Sequence, residues 1–147
     1  MTKEVIITIC GLQNGPETDG DPIEMIVAGE YFYKNNKHYI LYDEVMEGES
    51  QVTKNRIKIS NGRMELTKSG VVNVNMIFEE NVKNITQYYT PYGALSMGID
   101  AKKVEIAESE HELDVKAEYA MEMNGEFVAD CKISINVKSK GIKELRL

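Results

Sequence analysis

From Leu113 to Val137 the chain reads LDVKAEYAMEMNGEFVADCKISINV. Apolar and polar residues alternate through its first nine positions, with Leu113, Val115, Ala117, Tyr119 and Met121 on one face and Asp114, Lys116, Glu118 and Ala120 on the other. The alternation resumes after the turn, where Phe127, Ala129, Cys131, Ile133, Ile135 and Val137 oppose Val128, Asp130, Lys132, Ser134, Asn136 and Lys138. A period of two is the signature of a strand buried on one side only. Between the runs stands Asn124-Gly125, the pair best suited to the positive φ angles of a tight hairpin turn. The stretch therefore reads as an antiparallel hairpin.

The same reading extends outward. Lys34-Asn35-Asn36-Lys37 and Ser60-Asn61-Gly62-Arg63 are turn sequences, with strands predicted over Pro22 to Tyr33, His38 to Glu44, Gln51 to Ile59 and Met64 to Lys68. Further strands are expected over Val5 to Leu12, Val72 to Phe78, Asn84 to Thr90, Ala94 to Ile99 and Lys103 to Glu108. No stretch has a persuasive helical period. About eight to ten short strands at regular spacing point to an all-β sandwich or barrel. Hairpin-length connections close most simply into a single antiparallel up-and-down β-barrel, in which each strand pairs with its sequence neighbour and no edge is left open.

Composition frames what such a barrel can do. At 147 residues, with no repeat or linker, the chain reads as one domain over 1–147, and the 42% hydrophobic and 28% charged residues are globular values. A net charge of −7 argues against a nucleic-acid partner, which needs a basic face. The one basic cluster, Lys138, Lys140, Lys143 and Arg146, is interrupted by Glu144 and reads as a solvated tail. No segment resembles a signal peptide or a membrane span, so the expected location is the cytoplasm. In a reducing compartment Cys10 and Cys131 read as free thiols. A disulfide between them requires the first and last strands to be neighbours, which a closed barrel could provide.

Order and wording of several segments resemble a known family. The residues that carry the likeness are KEVIITICG near the start, Tyr31-Phe32-Tyr33-Lys34-Asn35-Asn36, Lys37-His38-Tyr39-Ile40-Leu41-Tyr42, Lys68-Ser69-Gly70, Met76 to Glu80, and above all Tyr89-Thr90-Pro91-Tyr92-Gly93. Together they resemble the YwiB-like family of small bacterial proteins, a domain of unknown function. The resemblance implies a calycin-type, lipocalin-like β-barrel and brings no activity with it. Where the family pattern often has arginine before Ser-Gly, this chain has Lys68, a point charge without a planar fork. Secreted lipocalins usually carry Gly-x-Trp on the first strand, whereas here the text is Gly11-Leu12-Gln13.

Chemical motifs are sparse. His38 and His111 are the only histidines, too few for a structural zinc site unless both cysteines converge on them, and no metal or cofactor is expected. The acidic residues Glu17, Asp19 and Asp21 lack the spacing of a calcium loop. Ser109-Glu110-His111-Glu112 reads as a polar turn, and no nucleophile elbow or phosphate loop appears. The eight tyrosines remain. Tyr31, Tyr33, Tyr89, Tyr92 and Tyr119, with Lys68, are the candidate ligand-binding residues if the barrel is hollow, because a buried hydroxyl seeks a partner. Small inward residues, Gly29, Ala117, Ala129 and Cys131, hint at room, and methionines would line it adaptably. The expected function is non-catalytic binding of a small, partly apolar molecule in the interior. The alternatives are a solid protein-interaction module, for which Pro91 and Gly93 merely shape a corner, and an enzyme whose site is unrecognised.

Overall fold

A computed structural model describes residues 1, 3–12, 23–45 and 51–140. The acidic stretch with Glu17, Asp19 and Asp21, the strand start expected at Pro22, and Lys143 and Arg146 lie outside the described residues. The chain forms ten strands: β1 (Glu4–Leu12), β2 (Ile23–Lys34), β3 (Lys37–Val45), β4 (Val52–Ser60), β5 (Arg63–Ser69), β6 (Val74–Glu79), β7 (Lys83–Thr90), β8 (Gly93–Glu108), β9 (Glu112–Met123) and β10 (Glu126–Ser139). Among the described residues no helix is long and apolar enough to cross a membrane.

All ten strands belong to one antiparallel sheet in the order β6-β5-β4-β3-β2-β1-β10-β9-β8-β7. The first and last strands lie side by side, so the meander curls into a nearly closed barrel. One expectation fails. The sequence neighbours β6 and β7 form no ladder, and the wall is bridged between them by a single reciprocal pair, Asn73 N–H to Tyr89 O at 2.9 Å and Tyr89 N–H to Asn73 O at 2.8 Å. The cause lies in the connection. Asn81, at a φ of 63°, donates its N–H to Ala101 O on β8, and Glu80 Oε1 accepts from Val104 N–H. The turn is thus closed by one bond of its own, Val82 N–H to Glu79 O at 3.0 Å, and is otherwise tied to the part of β8 that runs past β7.

Local chemistry explains the remaining joints. Asn124 and Gly125 adopt φ angles of 52° and 84°, and Asn35 and Asn36 angles of 54° and 63°, the left-handed geometry that tight hairpins demand. The two strands expected at Ala94–Ile99 and Lys103–Glu108 are one strand, β8, whose register shifts between Ala101 and Lys103. A second shift, between Phe127 and Ala129, makes Val128 an extra residue in β10. Phe127 therefore leaves the inner face on which strict alternation puts it, and is exposed.

The core is the barrel interior. Val5, Ile7, Ile40, Ile57, Ile59, Met64, Phe78, Leu113, Val115, Ile135 and Val137 are almost wholly buried. Phe78 meets Tyr119 edge-on across the interior, with ring centroids 5.0 Å apart. Small inward residues mark close approach. A β-carbon on Gly29 would stand 2.6 Å from the Leu41 carbonyl oxygen and 2.5 Å from Ile7 Cδ1. Cys10 and Cys131 are free thiols. Although β1 and β10 are neighbours, Cys10 pairs with Ser134 and Cys131 with Tyr119, on opposite faces of the sheet.

Candidate functional site

Strand parity places a polar row inside the barrel wall. Tyr42 on β3 pairs with Asn55 on β4, Asn55 with Lys68 on β5, and Lys68 with Val74 on β6. Lys68 Nζ donates to Glu44 Oε1 at 3.0 Å and to Asn55 Oδ1 at 2.8 Å. Asn55, 2% exposed, turns its amide nitrogen to Thr53 O and Glu44 Oε1. Buried polar groups are held like this because an unpaired one is costly. An ammonium has three protons to donate. Two of them are engaged among the described residues.

This cluster sits at the seam. A groove of about 530 Å³ runs between β5–β6 and β7, with Lys68 and Val74 toward its base and Ile85, Gln87 and Tyr89 on its β7 side. Thr86 also lines it, and Asn84 occupies the same inner face of β7. The Asn84 amide nitrogen is buried with no hydrogen-bond partner among the described residues. The seam thus joins a largely unpaired strand edge, a mixed rim in which Ile85 and Tyr89 stand among polar side chains, and two inward donors.

The five candidate tyrosines divide among four places. Tyr89 stands on the seam groove with Lys68. Tyr31 and Tyr33 lie toward the other end of the barrel, where the Tyr31 hydroxyl and His38 Nδ1 are hydrogen-bonded at 2.6 Å and Tyr33 packs edge-on to the same imidazole. Tyr119 is inside, against Phe78 and the Cys131 thiol, and burial raises its pKa well above the ordinary tyrosine range. Tyr92 is fully exposed at the tip of the β7–β8 hairpin, in a turn fastened by Thr90 Oγ1, which accepts from Tyr92 N–H and donates to Gly93 O. Sequence reasoning missed Glu44, Asn55, Asn84 and Thr86. For Glu44 and Asn55 the signal was present as polar residues at inward positions of otherwise apolar runs, such as Asn55 before Ile57 and Ile59, whereas the inward face of β7, with Asn84, Thr86 and Thr90, is polar nearly throughout.

Other grooves differ in kind. One of about 620 Å³ on the outer face of β2 to β5 is rimmed by Glu30, Asp43, Lys54 and Arg56. It is a charged, solvated surface with the Lys54–Asp43 pair at 3.5 Å. Among the described residues no group of three or more His, Cys, Asp or Glu could hold a metal ion.

A nearly closed ten-stranded antiparallel barrel with a seam at β6 and β7 defines the class of protein. The family model described as "Domain of unknown function (DUF1934)" matches residues 7–135, and the chain belongs to that family. The chain is 28% identical over 128 residues to a protein of Bacillus subtilis (strain 168) named "Uncharacterized beta-barrel protein YwiB", covering 86% of this chain and 88% of that one. A solved structure, "Crystal structure of ywiB protein from Bacillus subtilis", superposes with a TM-score of 0.78 at 22% identity, over 93% of this chain and 92% of the other. These likenesses establish a β-barrel protein of a family of unknown function.

Proposed function

We propose that this barrel binds a small, partly apolar molecule at the β6–β7 seam, with the apolar part against Val74, Ile85 and Tyr89 and a hydrogen-bond acceptor toward Lys68. The observation that carries the reading is the inward, half-buried Lys68 ammonium at the base of the groove, which among the described residues spends two of its three protons. The groove's volume falls in the range of ordinary ligand pockets, and Val74, Ile85 and Tyr89 give an apolar part to a lining otherwise made of polar side chains such as Thr67, Asn73, Asn75 and Gln87. Binding needs no cofactor and no catalytic group. The reading differs from an axial pocket, because Phe78 and its neighbours fill much of the axis. It keeps the single domain in the cytoplasm, where the two free thiols suit a reducing compartment.

A ligand that binds only the folded state raises its melting temperature. A thermal-shift screen against a metabolite library is expected to yield a stabilising compound whose effect falls in Lys68→Met and Tyr89→Ala but persists in Tyr92→Ala. A silent library, or a shift indifferent to Lys68→Met, contradicts the reading. Exposed Ile85, Tyr89 and Tyr92 along the β7–β8 hairpin favour a second reading, a protein-interaction module that uses this hairpin. That module predicts retention of a macromolecule and no thermal shift.

A further inference from the structure

The opposite end of the barrel carries a constellation that binding at the seam does not use. His38 on β3 is polar yet only 7% exposed. Its Nδ1 lies 2.6 Å from the Tyr31 hydroxyl and its Nε2 faces Glu108 Oε2 at 3.4 Å, so in the tautomer with the proton on Nε2, which the acceptor Glu108 favours, Nδ1 accepts from the hydroxyl. Tyr33 closes the imidazole from another side, with ring centroids 5.0 Å apart. A hydroxyl, a base and an orienting carboxylate in series is the arrangement that activates a nucleophile. Tyr31, Tyr33 and Glu108 also line a groove of about 600 Å³.

We propose that Tyr31 is a nucleophilic tyrosine that accepts an acyl group from a neutral, activated carboxylic ester docked in this groove. Burial, with Glu108 and Tyr33 adding to it, raises the Tyr31 pKa above its ordinary value. The phenol therefore keeps its proton at neutral pH, and attack requires a base in place. Tyr31 Oη attacks the ester carbonyl carbon while its proton passes to His38 Nδ1, and the resulting imidazolium lies between the phenol and the Glu108 carboxylate. The bond from the acyl carbon to the alcohol oxygen breaks, and the departing oxygen takes the proton from His38. The products are acyl-tyrosine and the free alcohol. Phe32, Tyr33 and Met1 suit an apolar or aromatic ester, and of the charged side chains on the groove Glu108 and Glu110 outnumber Lys3, which is itself paired with Glu30.

The test uses p-nitrophenyl acetate on the intact protein, with acetylation of each tyrosine followed by peptide mass spectrometry. Tyr92, fully exposed, is the internal reference, since unassisted labelling follows exposure. Tyr31 is expected to be acetylated faster than Tyr92 despite its burial, and His38→Gln to slow it by about a hundredfold. Glu108→Gln alters a solvent-facing side chain and is expected to slow it by roughly tenfold, with the melting curve unchanged. Labelling of Tyr31 no faster than that of Tyr92, or a rate unchanged in folded Glu108→Gln, overturns the proposal.

Discussion

The wall made by β8, β9, β10 and β1 and the seam between β6 and β7 are built from the same kind of alternating strand, yet only the wall is laddered along its length. Pairing of β9 with β10 and of β8 with β9 runs the length of the strands, interrupted by single register shifts. At the seam one residue pair, Asn73 and Tyr89, bridges the two edges. The wall is held by hydrogen bonds and packing together, whereas the seam is held by what packs behind it. A barrel can thus complete its core without completing its sheet, and the incomplete stretch is where polar side chains reach the surface from within.

If packing holds the seam, the largest effect of a single substitution belongs to the side chain behind it. Phe78→Ala removes a fully buried ring and its contact with Tyr119, and is expected to cost about 3–5 kcal/mol, read by denaturant unfolding. A loss no larger than that of a surface substitution would break the comparison. Gly70→Ala comes next. Gly70 precedes the bridge, and a β-carbon there would stand 2.7 Å from Thr53 Cα, so overpacking by roughly 1–3 kcal/mol is expected. Tyr89→Pro deletes the N–H that bonds Asn73 O and is expected to cost about 1 kcal/mol, with faster amide exchange confined to β6 and β7. Acceleration that spreads evenly to β9 and β10 would show that seam and wall open as one unit.

The smallest effect is absent at neutral pH. Burial, the largest cause for both, pushes the Tyr42 and Tyr119 hydroxyls well above the ordinary tyrosine pKa, with Glu44 adding to the first and Cys131 to the second. The folded state thus holds these protons more tightly than the unfolded one. Their contribution is intact below an unfolded pKa of about 10 and is lost as pH rises from there toward the folded values. Stability followed against pH should accordingly show no tyrosine dependence until about pH 10 and a decline beyond it. Phe substituted at Tyr119 should soften that decline.

Much of the wall was legible in the sequence because each strand there buries one face and exposes the other. Leu113 to Val137 states its hairpin twice, once by alternation and once by Asn124-Gly125. The bulges were not legible. Phe127 has the apolar character of an inward residue, and only the pairing of Met121 with Ala129 reveals that Val128 has displaced it. The seam was hidden for a similar reason, since Asn81 and Glu80 look like ordinary turn residues, and what distinguishes them is their bonding to β8. Of the candidate site, Lys68 and Tyr89 come together at the seam, while Tyr31 and Tyr33 belong with His38. Parity alone cannot tell which end of a barrel a side chain serves. The tilt and closure of the sheet decide that, and both arise from contacts distant in sequence.

The most direct test of a ligand at the seam is native mass spectrometry of gently purified protein, set against the same sample denatured and against Lys68→Met prepared in parallel. A mass excess that vanishes on denaturation and is lost or diminished in Lys68→Met is the expected result, and it delivers the compound itself. A bare native mass together with a silent metabolite screen, or an excess retained undiminished by Lys68→Met, would contradict the account.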